Sequence, residues 1–270
     1  MAKIIAICNQ KGGTGKTTTA INLSAALALA EKRILIVDVD PQGNATSGLG
    51  VDKHKLTDSI YRVLVDNLPI ENIIKPTEIK NLSIAPSNLE LTGAEIELVG
   101  FVARESQLRK ALEPINLKFD YIFIDCPPSL GLLTLNGLMA ADSVIIPIQC
   151  EFYALEGVTL LLKSINVVRE RLNPNLQIEG VVMTMADYRT KLTNEVINEI
   201  KKFFKDKVYQ SIVPRNIRLS EAPGFGKPIA LYDKTSAGAR SYQNLANEFL
   251  GLKPEVDQLK PEEIKEGLGG

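Results

Sequence analysis

Short, continuous apolar runs recur along the chain, at residues 4–8, 34–37, 121–124, 144–148, 178–183 and 208–213. They do not alternate with polar positions. Strands that are apolar on both faces are expected where helices cover both sides of a sheet, the setting of parallel strands. Between the runs lie segments with helical spacing, such as Ala20, Leu23, Leu27 and Ala30, or Leu160, Leu161, Ile165 and Val168. This alternation predicts a doubly wound α/β fold. Its sheet is mostly parallel, helices lie on both faces, crossovers are right-handed, and ligands bind at the carboxyl ends of the strands.

Residues 56–112 are less regular. Helical spacing around Ile60 to Leu64, a short run at 82–85 and a long amphipathic stretch at 89–112 predict helical decoration around one further strand. No linker-like stretch divides the chain, so residues 1–250 are expected to form a single domain. Residues 251–270 carry three lysines, five acids, two prolines and a Gly-Gly end, the composition of a frayed acidic tail.

Composition narrows the function classes. With 31 basic and 32 acidic side chains the formal charge is −1, which excludes nucleic-acid binding by overall charge. The 45% apolar and 23% charged content is that of a globular protein. No stretch approaches the ~18 apolar residues of a membrane-spanning helix, and no leader-like segment precedes the first run, so a cytoplasmic protein is expected. Cys8, Cys126 and Cys150 are odd in number, widely spaced and inside or beside apolar runs, as suits reduced, buried thiols. His54 is the one histidine and has no second ligand at metal spacing, so a metal cage of side chains is not expected.

The segment Lys11-Gly12-Gly13-Thr14-Gly15-Lys16-Thr17-Thr18 follows the first apolar run and precedes an Ala- and Leu-rich helical stretch. Glycines let the backbone bend so that successive N–H groups face phosphate oxygens, and a helix starting near Lys16 adds its positive end. In such a loop Lys16 supplies charge to the outer phosphates of ATP and Thr17 is placed to ligate Mg²⁺. Two acidic sites follow apolar runs. Asp38 and Asp40 lie two apart on an extended segment, so both carboxylates are expected to face the phosphate loop. Asp40 is the candidate for orienting or deprotonating the attacking water. Asp125, closing the run 121–124, has the form of a Walker-B acid that holds Mg²⁺. Either acid taken alone suits a turn or a helix cap equally well. Glu151, following the run 144–148, is placed where it could face a nucleotide held between two copies, and it is left unassigned.

Against the ordinary pattern G-x-x-x-x-G-K-[ST], the first glycine position holds Gln10, and Lys11 follows it. The loop with this early lysine resembles the deviant Walker-A P-loop NTPases, which include ParA-type partition ATPases, MinD proteins, nitrogenase iron proteins and some amide-forming enzymes. Asp-x-Asp-Pro-Gln-Gly-Asn at 38–44, Asp-Cys-Pro-Pro-Ser-Leu-Gly at 125–131, Pro-Arg-Asn at 214–216 and Leu-Ser-Glu-Ala-Pro at 219–223 look like the chromosomal ParA ATPases of the Soj type. The likeness runs from about residue 3 to 250.

That resemblance implies ATP sandwiched in a homodimer, with Lys11 reaching the partner's nucleotide. It places Pro214 and Asn216 in the loop that holds the adenine. It further implies dimer-dependent binding of double-stranded DNA without sequence preference, through Arg189 and Arg218. A ParB-type centromere-binding partner would stimulate hydrolysis, and the protein would associate with the nucleoid. The sequence carries a matching feature. Residues 187–219 hold eight basic and four acidic side chains, a local +4 against −5 over the rest of the chain. Clustered cations give salt-sensitive, sequence-independent affinity for phosphates.

Two rival readings share the fold. A MinD-like positioning ATPase would need a basic amphipathic C-terminal helix for a membrane, and the tail is acidic and interrupted by proline. An amide-forming biosynthetic enzyme would need a second small-molecule pocket that no motif announces. An iron-protein reading fails because none of the three cysteines suits a shared cluster.

Overall fold

A computed structural model describes residues 1–151 and 154–252, with the side chains of 154–157 left aside. The tail expected from 251 onward therefore lies, from Lys253 on, outside the described residues. Seven strands form one sheet: β1 (Lys3–Ile7), β2 (Ile34–Asp38), β3 (Lys75–Pro76), β4 (Leu82–Ala85), β5 (Tyr121–Asp125), β6 (Ser143–Gln149) and β7 (Gln177–Thr184). Their order is β3-β4-β2-β5-β1-β6-β7. Every neighbouring pair is parallel except β3 with β4. The helices are α1 (Lys16–Leu29), α2 (Asn44–Gly48), α3 (Ile60–Val65), α4 (Leu91–Glu97), α5 (Gln107–Leu112), α6 (Leu132–Ala140), α7 (Ala154–Arg171), α8 (Lys191–Phe204), α9 (Ile217–Glu221), α10 (Ile229–Tyr232) and α11 (Ala237–Phe249).

The continuous apolar runs have a simple cause. Ala6 and Cys8, Leu35 and Val37, and Ile122 and Ile124 face one core, with residues from α3 to α8. Their strand neighbours Ile5 and Ile7, Ile34 and Ile36, and Phe123 face the other, with α1 and α11. Successive side chains point to opposite faces, and both faces are covered, so neither parity tolerates polar residues. α1 is more enclosed than its one-sided spacing suggests. Every residue from Thr19 to Ala28 is buried, because small side chains admit neighbours all round. Ala30 and Leu160, counted as inward-facing by spacing, are exposed.

Two expected elements differ. The run 208–213 does not form a strand. It follows the edge of β7 through isolated pairings of Val181 with Val208 and Ala186 with Pro214. Between them Glu248 takes the Gln210 and Ser211 N–H groups at 2.6 and 3.0 Å, which removes those groups from a ladder. The amphipathic stretch 89–112 divides into α4 and α5, separated by short 3₁₀ turns and a left-handed Ala103 at φ +52°. Among the described residues no helix is long and apolar enough to cross a membrane.

Candidate active site

The loop between β1 and α1 lies at the carboxyl edge of the sheet, flanked by the ends of β5 and β6. Gly13 and Gly15 take φ of +73° and +84°, the left-handed region in which glycine alone is unstrained. Gly15 is also the N-cap of α1. Three polar contacts fix the curve. The Asn9 amide donates to the Pro147 carbonyl at 2.7 Å, the Asn9 side-chain oxygen accepts the Lys11 N–H at 3.1 Å, and the Thr184 hydroxyl donates to the Thr14 carbonyl at 2.8 Å. The loop is thus tied to the ends of β6 and β7, and its N–H groups are set before any anion arrives.

Lys16 is 7% exposed, and its ammonium donates to the Lys11 carbonyl at 3.2 Å. Burial pushes its pKa below the ordinary lysine value, and the charges of Asp125 and Asp40 pull it back. Gly12, Gly13, Thr14, Gly15, Lys16, Thr17 and Thr18 form one continuous turn into the first turn of α1.

Asp125 ends β5 and is fully buried, and neither carboxylate oxygen has a hydrogen-bond partner. Burial pushes its carboxyl well above the usual range, and the neighbouring Asp38 adds to this; Thr17 and Lys16 oppose the shift. A buried carboxylate with neither oxygen bonded by the protein is costly by itself and suited to a cation. With the Thr17 hydroxyl it makes a hard-oxygen donor pair of the kind Mg²⁺ takes beside phosphates and water. Among the described residues no group of three or more His, Cys, Asp or Glu side chains is placed to hold a metal.

Asp38 and Asp40 part company. The expectation that both face the phosphate loop is corrected for Asp38. Its carboxylate accepts the Thr46 N–H at 2.9 Å, the Thr46 hydroxyl at 2.7 Å and the Asp40 N–H at 3.1 Å. α2 brings Thr46 over the end of β2 and captures the side chain. Burial still pushes the Asp38 carboxyl up to about 6, against the three donors. Asp40 is 7% exposed. One of its oxygens accepts the Gln42 N–H at 2.9 Å, which fixes the carboxylate's direction, and the Ser87 hydroxyl donates to its backbone carbonyl at 2.7 Å.

Lys11 stands at the rim, where its ammonium meets Glu151 at 3.3 Å. Pro214 lies beside Ala186, and the Asn216 side chain caps α9 by accepting the Leu219 N–H at 3.3 Å. A cavity of about 400 Å³ opens beside Thr17 and Thr18, lined by Ile21, Asn22, Asn44, Ser47, Ala222, Pro223, Gly224 and Lys227. Neither Pro214 nor Asn216 lines it. Asn44, Ala222 and Pro223 fall within the sequence blocks that carried the resemblance, but nothing in their spacing showed that they share one wall.

Arg189 and Arg218 are exposed and lie apart from the loop. Arg189 forms a two-pronged pair with Asp187 at 2.6 and 2.8 Å, which holds that carboxyl down at about 2. Arg218 pairs with Glu221 at 3.0 Å and lies 3.6 Å from Asp233. These two acids fall outside residues 187–219, so the charge around Arg218 is less positive than the count along the chain suggested. Lys191, Lys202, Lys205 and Lys207 are exposed on α8 and the turn after it. The three cysteines are buried and free, and burial pushes the Cys150 thiol up to about 11.

Known proteins resemble this chain in sequence and in fold. The model of the AAA domain family matches residues 2–178. The chain is 57% identical over 248 residues to the sporulation initiation inhibitor protein Soj of Bacillus subtilis, covering 92% of this chain and 98% of that protein. It is 54% identical over 250 residues to the chromosome partitioning protein ParA of Myxococcus xanthus, covering 93% and 88%. A crystal structure described as cobyrinic acid a,c-diamide synthase from Mycobacterium smegmatis with bound ADP and magnesium superposes with a TM-score of 0.82 at 37% identity. It covers 93% of this chain and 94% of that one. The glycine loop on β1, the acid ending β5 and this likeness over nine-tenths of its length make the chain a member of the ParA/Soj family of chromosome-partitioning ATPases.

Proposed function

We propose that this chain is a Mg²⁺-dependent ATPase in which bound ATP joins two copies, the pair holds double-stranded DNA without sequence preference, and a ParB-type partner stimulates the hydrolysis that ends binding. The observation that carries the reading is the buried Asp125 with both oxygens unsatisfied, set beside Thr17 and Lys16. Its strand neighbour Asp38, equally buried, is hydrogen-bonded at both oxygens, whereas Asp125 costs stability unless a cation takes it.

In this reading the N–H groups of residues 12–18 and the Lys16 ammonium hold the phosphates. Thr17 and Asp125 would hold Mg²⁺, which would supply charge neutralisation for the bound phosphates. Asp40, aimed by its own turn, orients the attacking water or takes its proton, as water adds to the γ-phosphorus and ADP leaves. Lys11 of one copy stabilises charge on the other copy's transferred phosphoryl group, which couples turnover to pairing. The cavity beside Thr18 adjoins the phosphate loop and is roomy enough for a nucleoside; the family likeness places Pro214 and Asn216 in the loop that holds the adenine. Arg189 and Arg218 exchange their carboxylates for DNA phosphates. Exposed ion pairs of this kind are worth about 1 kcal/mol or less, so the exchange is cheap. One copy offers few such contacts, and two copies on one duplex bind by avidity, so ATP acts as the switch.

The test is duplex binding at graded salt with ATP, ADP or no nucleotide, beside light scattering for mass. Dimers and salt-sensitive binding to unrelated duplexes are expected with triphosphate alone. Equal binding without nucleotide sinks the reading. The description of the M. smegmatis structure supports a second reading, a biosynthetic ATPase acting on a carboxylic acid. Steady ATP turnover with DNA and a ParB-type protein, and no acid substrate present, removes it.

A further inference from the structure

Glu151, which no sequence pattern explained, links three segments of the site. Its carboxylate lies 3.3 Å from the Lys11 ammonium and 3.7 Å from the Arg215 guanidinium, and it accepts a hydrogen bond from the Gln149 amide. Lys11 belongs to the phosphate loop, Gln149 ends β6, and Arg215 lies in the loop that follows the edge segment along β7. The Lys11 side chain therefore leans away from its own loop. The loop's inward positive charge comes from Lys16, whose ammonium is bonded to the Lys11 carbonyl at 3.2 Å.

We propose that Glu151 is a positioning residue that latches Lys11 in the single copy. The latch holds the ammonium at the rim, out of its own phosphate site, until a second copy's triphosphate draws it across. This rests on the proposed action of Lys11 on the other copy's nucleotide. The latch is weak by design of its surroundings: the two side chains are 36% and 45% exposed, so solvent screens the pair. A single carboxylate in water competes poorly with a triphosphate carrying several negative charges in a closed interface. Arg215 keeps Glu151 from following Lys11, because it remains a counter-charge for the carboxylate after Lys11 departs.

The test variant is Glu151→Gln, which keeps the side chain's shape and removes its charge. Dimerisation is measured by light scattering with a non-hydrolysable ATP analogue. An exposed pair corresponds to about a two- to fivefold effect for each lysine released. A symmetric dimer releases two, so its dissociation constant should fall by the square, about four- to 25-fold, and the gain should shrink at high salt. A constant within twofold of the parent, or a weaker dimer, overturns the proposal. A second readout needs no dimer. In the nucleotide-free single copy, competitive acetylation read by mass spectrometry should modify Lys11 at least about twofold faster in Glu151→Gln, and no faster in Arg215→Gln. Unchanged Lys11 reactivity in Glu151→Gln overturns the latch even if the parent never pairs. A parent that stays single with the analogue, while Lys11 is still released in the variant, removes only the proposed action across the dimer.

Discussion

The ends of β2 and β5 look alike in sequence and differ in kind. Each is an apolar run closed by an aspartate, and the two acids stand side by side in register, Asp38 opposite Asp125, both fully buried. At β2 the chain supplies its own donors: Thr46 contributes two and Asp40 one. At β5 only the Thr17 hydroxyl comes near, and neither carboxylate oxygen has a donor within hydrogen-bond reach. One buried acid is a structural tie between strand and helix, and the other is suited to hold something the protein must bind. The lesson is that burial by itself does not mark a ligand site; burial with the hydrogen-bonding capacity left open does.

Substitution of the two acids should separate them. The largest effect is expected at the open one. Asp125→Asn should lower ATP turnover by at least about 100-fold by removing the cation's carboxylate. The same change should leave the nucleotide-free protein as stable or make it more stable by up to about 2 kcal/mol, since no donor loses its acceptor. Urea unfolding beside an ATPase assay checks both, and a destabilised Asp125→Asn would show that the carboxylate is satisfied after all. Asp38→Ala should do the reverse. It strands three buried donors and should cost about 2–4 kcal/mol in urea unfolding at neutral pH; a loss below about 0.5 kcal/mol would break the contrast.

A smaller effect sharpens the comparison through pH. Asp38 titrates near 6 when folded and near its ordinary value of 3.8 when unfolded, so between these values the folded form keeps a proton that the unfolded chain has lost. Its contribution to stability is therefore greatest below about pH 4 and declines as pH rises through 6. Relative to Asp38→Asn, which does not titrate there, the nucleotide-free parent should lose up to about 3 kcal/mol across that interval. Urea midpoints measured from pH 4 to 7 read this directly, and a rise with pH would reverse the assignment of burial as the dominant cause.

Much of the fold was legible because its cause is repeated. Both faces of the sheet are covered, so each strand advertises itself by having no polar parity, and the runs at 4–8, 34–37 and 121–124 correspond to strands to within a residue. The run at 208–213 carries the same signal and does not form a strand: Tyr209 and Val213 bond to β7, but between them Glu248, 37 and 38 residues further on, takes the Ser211 and Gln210 N–H groups and interrupts the ladder. Local pattern cannot report a competitor so distant in the chain. The charge count over 187–219 fails around Arg218 for the same reason, since Glu221 and Asp233 reach it from outside the window.

The sequence by itself determined what depends on neighbours along the chain: the helix spacing, the glycines that permit a left-handed turn before Lys16, and the acids placed at strand ends. Tertiary structure decided what depends on groups far apart in sequence. It chose which of two similar acids would be satisfied, set Lys11 against Glu151, and gathered Asn44 and Pro223 onto one wall beside Thr18. The physical reason is that covalent proximity sets backbone geometry, whereas the state of a buried polar group is set by whichever donors and charges folding brings within a few ångströms of it.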